Sequence, residues 1–119
     1  MVEFLRARLA EDAEVAQDAT VGPWSAEHPE GHWGDDPEAR LVGGGKILGS
    51  LSNDYNGHLN ADHIVRHDPA RVLAEVEAKR RMIEDTWGGP DYQDMWEHHM
   101  RLLALPYAGH PDYREEWRP

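Results

Sequence analysis

The sequence predicts an α+β fold: an N-terminal amphipathic helix, a small antiparallel β-sheet or hairpin over residues 21 to 52, and a C-terminal helical pair with an aromatic tail. Two observations carry this. Three runs place apolar side chains three and four residues apart with charges between them, the period of a helix with one buried side. Between the first and second runs, glycine and proline cut the chain into short β-compatible pieces. At 119 residues the chain fits a single domain, residues 1–119, long enough to bury a core without staples.

The first helix is expected from Val2 to about Asp18, with Leu5, Leu9, Ala13 and Ala16 on its inner side. Gly22 and Pro23 in "TVGPWS" break it, and Trp24 opens a first strand. Arg40 to Val42 and Lys46 to Leu51 read as two strands of a hairpin around Gly43, Gly44 and Gly45. Asn60 is placed to cap a short turn over Ala61 to Arg66. Asp68 then supplies a carboxylate N-cap and Pro69 the first helical position of a longer helix. Its inner stripe is Val72, Leu73, Val76, Ile83 and Trp87, and Gly88, Gly89 and Pro90 end it. A last helix is expected from about Asp91 to Leu105, with Tyr92, Met95, Trp96, Leu102 and Leu103 as its apolar face and His99 in the middle of that face. Pro106 ends it. The tail that follows is rich in aromatic residues, and Tyr107, Tyr113 and Trp117 are expected to strap it over the helices.

Charge and composition narrow the function. There are 23 acidic and 12 basic side chains, a formal net charge of −11. The excess is uneven, net −8 over residues 1 to 62 and −3 over residues 63 to 119. Such a field opposes phosphate backbones and anionic lipid, so direct nucleic-acid binding and membrane binding are not expected, and Arg71, Lys79, Arg80 and Arg81 read as a solvated helix face. The absence of cysteine removes disulfides, thiolate metal sites and a thiol nucleophile. No apolar run approaches the roughly 20 residues that span a bilayer, and the N-terminus is charged throughout, so a soluble cytoplasmic protein is expected.

Three segments, "GPW", "HIVRHDPARVLAEVEAKRR" and above all "LALPYAGHPDYREEWRP", resemble a family of small uncharacterised proteins from Streptomyces, related actinomycetes and their phages. The resemblance covers about half the chain and leaves out Ser25 to Leu51. It implies an actinobacterial or phage source, and it brings no activity and no catalytic residues with it.

Chemistry-bearing residues cluster in two places. His63 and His67 have the spacing with which a helix presents two imidazoles on one side to zinc or another divalent metal. Ile64 stands where a zincin carries its general-base glutamate, so the pair is a candidate metal site and not a protease motif. A third ligand would come from His58, Asp62 or His99. In "EHPEGHWGDD", His28, His32, Asp35 and Asp36 form a weaker candidate of the two-histidine, one-carboxylate kind. The glycines before Lys46 do not make a phosphate-binding loop, because Arg40 and Ile47 occupy positions that need glycine and a hydroxyl residue. Ser25, Ser50 and Ser52 lack a nucleophile-elbow context.

Two functions from different classes therefore stand. The first is a small acidic protein-interaction or regulatory module, in the manner of a phage or mobile-element accessory factor. It would meet a basic surface on a protein partner, with Glu11, Asp12, Glu14 and Asp18 as the contact residues and no cofactor. The second is a histidine-ligated divalent-metal protein, an enzyme in its strongest form, built on His63 and His67. A stoichiometric bound ion separates the two.

Overall fold

The structure is a computed structural model that describes residues 1–28, 39–52, 54–85 and 89–119. In order, the elements are α1 (Val2–Asp18), β1 (Ser25–Glu27), β2 (Ala39–Gly43), β3 (Lys46–Leu51), α2 (Tyr55–Arg66), α3 (Pro69–Glu84) and α4 (Gln93–Ala104). Single 3₁₀ turns cover Pro90–Tyr92, Leu105–Tyr107 and Glu115–Trp117. The expected α+β fold is present, with its N-terminal helix, small antiparallel sheet and C-terminal helices. The chain divides into two compact units, Met1–Glu14 with Glu75–Pro119, and Val15–Ala74.

Val15–Ala74 is built on the sheet. The strand order is β1-β2-β3 and both pairings are antiparallel, Ala26 facing Leu41 and Ala39 facing Leu51. Gly44 and Gly45 connect β2 to β3 with φ of 58° and 75°, the two left-handed residues that a tight hairpin with native twist requires. The β2–β3 register shifts between Leu41 and Val42, which pair with Gly49 and Ile47. The α2 helix packs against all three strands, and Ala39 and Ala61 are fully buried.

α2 starts earlier than the sequence reading has it. Asn60 lies within the helix, and the cap is Asp54, whose carboxylate accepts the Gly57 N–H at 2.7 Å. Gly57 is required there, because a Cβ would come within 1.8 Å of the Ser52 carbonyl oxygen. Asn, Asp and Gly are poor helix formers, so local propensity disfavours a helix start here; the capping carboxylate of Asp54 overrides it.

The start of α3 is as the sequence predicts. Asp68 Oδ1 accepts the Arg71 N–H at 2.9 Å, and its other oxygen accepts the Trp24 N–H at 2.8 Å. The Trp24 indole N–H donates to the Thr20 carbonyl at 2.8 Å, and the Gly22–Pro23 peptide bond between them is cis. One buried carboxylate thus ties "GPW" to "HDPAR". Those two N–H groups, Arg71 first and then Trp24, hold the Asp68 carboxyl below the usual carboxylate range.

In the other unit the buried apolar residues are Leu5, Leu9 and Ala13 of α1, Val76 and Ile83 of α3, and Met100 and Ala104 of α4. The α1 stripe and the Val76–Ile83 part of the α3 stripe match expectation. Trp87 and Gly88 lie outside the described residues. The apolar face expected for α4 is corrected: Tyr92, Met95 and Leu102 are exposed, while Met100 and Ala104 take the buried side, with Trp96 and Leu103 half-buried beside them. This helix has apolar residues on two sides, and spacing alone does not say which side turns inward.

Candidate functional site

Phe4, Arg8 and Asp12 follow one another at four-residue spacing along α1, beside the buried Leu5, Leu9 and Ala13, and the C-terminal tail lies over them. The Phe4 ring meets Tyr107, His110, Tyr113 and Trp117, with centroids 6.4, 5.6, 6.0 and 5.1 Å away. Tyr113 and Trp117 also pack edge to face at 5.7 Å. Contacts of this kind contribute about 0.5–1.5 kcal/mol each beyond the area they bury. Three polar ties accompany them. Tyr107 OH donates to Asp12 Oδ2, Arg8 meets the His110 ring, and the Asp112 N–H donates to His110 Nδ1 at 3.0 Å. Burial first, and the Asp12 hydrogen bond second, push the Tyr107 phenol far above its ordinary value.

Arg8 is the charged residue this arrangement buries. Its guanidinium covers the Phe4 ring at 5.3 Å and donates to Glu11 Oε1 at 2.9 Å, while its Nε and the Tyr113 hydroxyl are buried without a hydrogen-bond partner. A cleft of about 320 Å³ opens beside it, lined by Glu3, Phe4, Arg8, Asp112, Arg114 and Trp117. Its walls pair arginines with aromatic rings and its rim carries both signs of charge, so it is a mixed surface and not a one-sign ion site. The expected strap role of Tyr107, Tyr113 and Trp117 agrees with this geometry. The partners on α1 were missed, although an aromatic, a basic and an acidic residue in series beside an apolar stripe is a readable signal.

The expected partner-binding residues fall on two sides of α1. Glu11, Glu14 and Asp18 are exposed, and Glu11 shares its charge with Arg8. Asp12 stands on the adjoining side, with one oxygen engaged by Tyr107. No basic residue occupies the last turn of α1, so the negative end of the helix dipole adds to the Asp18 charge.

Four histidines, His28, His58, His63 and His67, lie on or beside α2. His63 and His67 are exposed and their rings stack at 4.5 Å, with His67 Nδ1 donating to the His63 carbonyl at 2.9 Å. His67 is also the C-cap of α2, its backbone N–H donating to the Ile64 carbonyl. His28 does not join them. Its Nε2 lies 2.8 Å from Asp62 Oδ1, and its ring stacks on His58 at 4.5 Å. His99 is half-buried on α4, and His32, Asp35 and Asp36 lie outside the described residues. Among the described residues, no three histidine, aspartate or glutamate side chains form a group that could hold a metal ion.

Fold and surface together define a small acidic α+β protein whose tail is fastened to its first helix. The chain belongs to the Family of unknown function (DUF6221), whose model matches residues 1–119, Ser25 to Leu51 included. No curated protein and no solved structure matches it. Among the described residues, no helix is long and apolar enough to cross a membrane.

Proposed function

We propose that this protein is an acidic protein-interaction module that meets a basic surface on a partner protein. The observation that supports it is the exposure of Glu11, Glu14 and Asp18 on α1, in a chain of net charge −11. Charges held on a helix keep their spacing without the entropy loss a loop would incur on docking, and their field speeds encounter with a basic surface. Asp12 contributes indirectly, by fastening the tail to α1. In the form the actinomycete and phage resemblance favours, the module is an accessory factor that occupies its partner without chemistry.

Capture from an actinobacterial lysate at low and high salt, followed by direct titration of the purified partner, tests this. The partner is expected to bind in low salt and to lose affinity when Glu11, Glu14 and Asp18 are changed to lysine. Binding indifferent to both salt and charge reversal would refute the reading.

The exposed rings of His63 and His67, 4.5 Å apart, support a second reading, a divalent-metal site completed by a further ligand. Elemental analysis of untagged protein, repeated on His63→Ala/His67→Ala, decides it. One ion per chain, lost in the double variant, would establish the metal site.

A further inference from the structure

The α4 helix has a second apolar side that faces solvent. Tyr92, Met95 and Leu102 are 46, 51 and 46 % exposed, and Leu105, just past the helix, is 37 % exposed. Met100 and Ala104 occupy the buried side of the same helix at 1 and 0 % exposure, so the exposed residues are not a core stripe displaced by a residue or two. Met95, His99 and Leu102 are four and three residues apart and therefore line up along the helix, with Tyr92 and Leu105 extending the line at either end. Large apolar side chains exposed in series mark a docking surface far better than the same residues scattered singly.

The charges around this stripe say what covers it. Asp91 and Asp94 are exposed beside Tyr92 and Met95. Arg101, the arginine of α4, is drawn aside by Glu97 Oε1 at 2.8 Å and by the Glu116 carbonyl at 2.6 Å. The rim at the Tyr92–Met95 end is therefore acidic. A second copy of this chain would bring a further charge of −11, which opposes self-association. A helix whose apolar residues recur at three and four positions and are flanked by lysine or arginine matches both the line and the rim.

We propose that the face of α4 formed by Tyr92, Met95, Leu102 and Leu105 docks an amphipathic, basic helix of a protein partner. This rests on the reading that the protein works by protein contact, but it names a surface separate from the α1 carboxylates.

The test uses the full chain and a synthetic helical peptide of about 18 residues, five turns, carrying leucines at three-and-four spacing flanked by lysines. One control has the same composition with the leucines scrambled; a second keeps the leucine stripe and replaces lysine by glutamate. The first peptide is expected to bind at least about tenfold more tightly than either control, with backbone amide shifts concentrated on residues 90–105. Met95→Ser/Leu102→Ser should remove most of that preference while the variant still unfolds cooperatively, because both side chains are about half exposed. Changing Glu11, Glu14 and Asp18 to lysine should leave the α4 shifts in place. Equal binding of the scrambled peptide would overturn the docking face while leaving charge-driven association standing. Shifts mapping elsewhere would overturn it, as would the same amides responding to protein concentration alone, which would make a second copy the occupant.

Discussion

The segments that carry the family resemblance are held in two different ways. In Val15–Ala74, "GPW" and "HDPAR" meet at a point: both oxygens of the Asp68 carboxylate are used, one on the Arg71 N–H and one on the Trp24 N–H. In the other unit the C-terminal segment meets α1 over a surface, through the Phe4 ring and the Tyr107–Asp12 and Arg8–His110 ties. A point contact concentrates its free energy in one side chain. A surface contact spreads it, so that each substitution removes only a share.

Asp68→Ala is expected to have the largest effect. Loss of a helix N-cap costs about 1–2 kcal/mol, and leaving the Trp24 N–H without its acceptor adds about 1–3 kcal/mol. A combined loss of about 3 kcal/mol, read by chemical denaturation, would uphold the point-contact account; a loss under about 1 kcal/mol would mean that water replaces the carboxylate at both N–H groups. Phe4→Ala comes next. The ring is half-buried, so about 2 kcal/mol is expected, below the 3–5 kcal/mol of a fully buried phenylalanine, and protease cleavage after Tyr107 and Tyr113 should accelerate. Tyr107→Phe should cost about 1 kcal/mol, because the ring stays and only the hydroxyl hydrogen bond to Asp12 goes. Glu77→Ala sets the floor: its pair with Arg81 is exposed on both sides, and the change should stay within about 0.5 kcal/mol.

pH sharpens the same contrast, since the two ties fail at opposite ends of the scale. The folded Asp68 carboxyl sits below its unfolded value, so its contribution is present above an unfolded pKa of about 3.9 and is lost as pH falls through the folded one. The Tyr107 phenol sits above its unfolded value, so its contribution is present below an unfolded pKa of about 10 and is lost as pH rises through the folded one. Melting curves across pH should show the acid limb flattened in Asp68→Asn and the alkaline limb flattened in Tyr107→Phe. Flattening of the opposite limb in either variant would break the assignment.

Much of this fold is legible in the sequence where local rules act alone. The α1 stripe, the paired glycines of the hairpin and the Asp68–Pro69 helix start each follow from periodicity or a capping preference within a few residues. Much of what is not legible depends on contacts distant in sequence, as the choice of inner side on α4 does, a tertiary decision between two apolar stripes. The start of α2 is local, but poor helix formers around the Asp54 cap hide it. The tail was readable as a strap from its aromatic content, but Asp12 as the partner of Tyr107 lies 95 residues away. Of the candidate sites, the spacing of His63 and His67 was readable, whereas the meeting of His28 with His58 and Asp62 was not.

Phe4 is the sole phenylalanine in the chain. Protein grown with isotope-labelled phenylalanine therefore carries a single labelled ring, and that ring lies among those of Tyr107, His110, Tyr113 and Trp117, whose ring currents displace its resonances. One spectrum reports whether the tail is docked, and line broadening in it reports how often the tail lifts, with no assignment of the rest of the molecule.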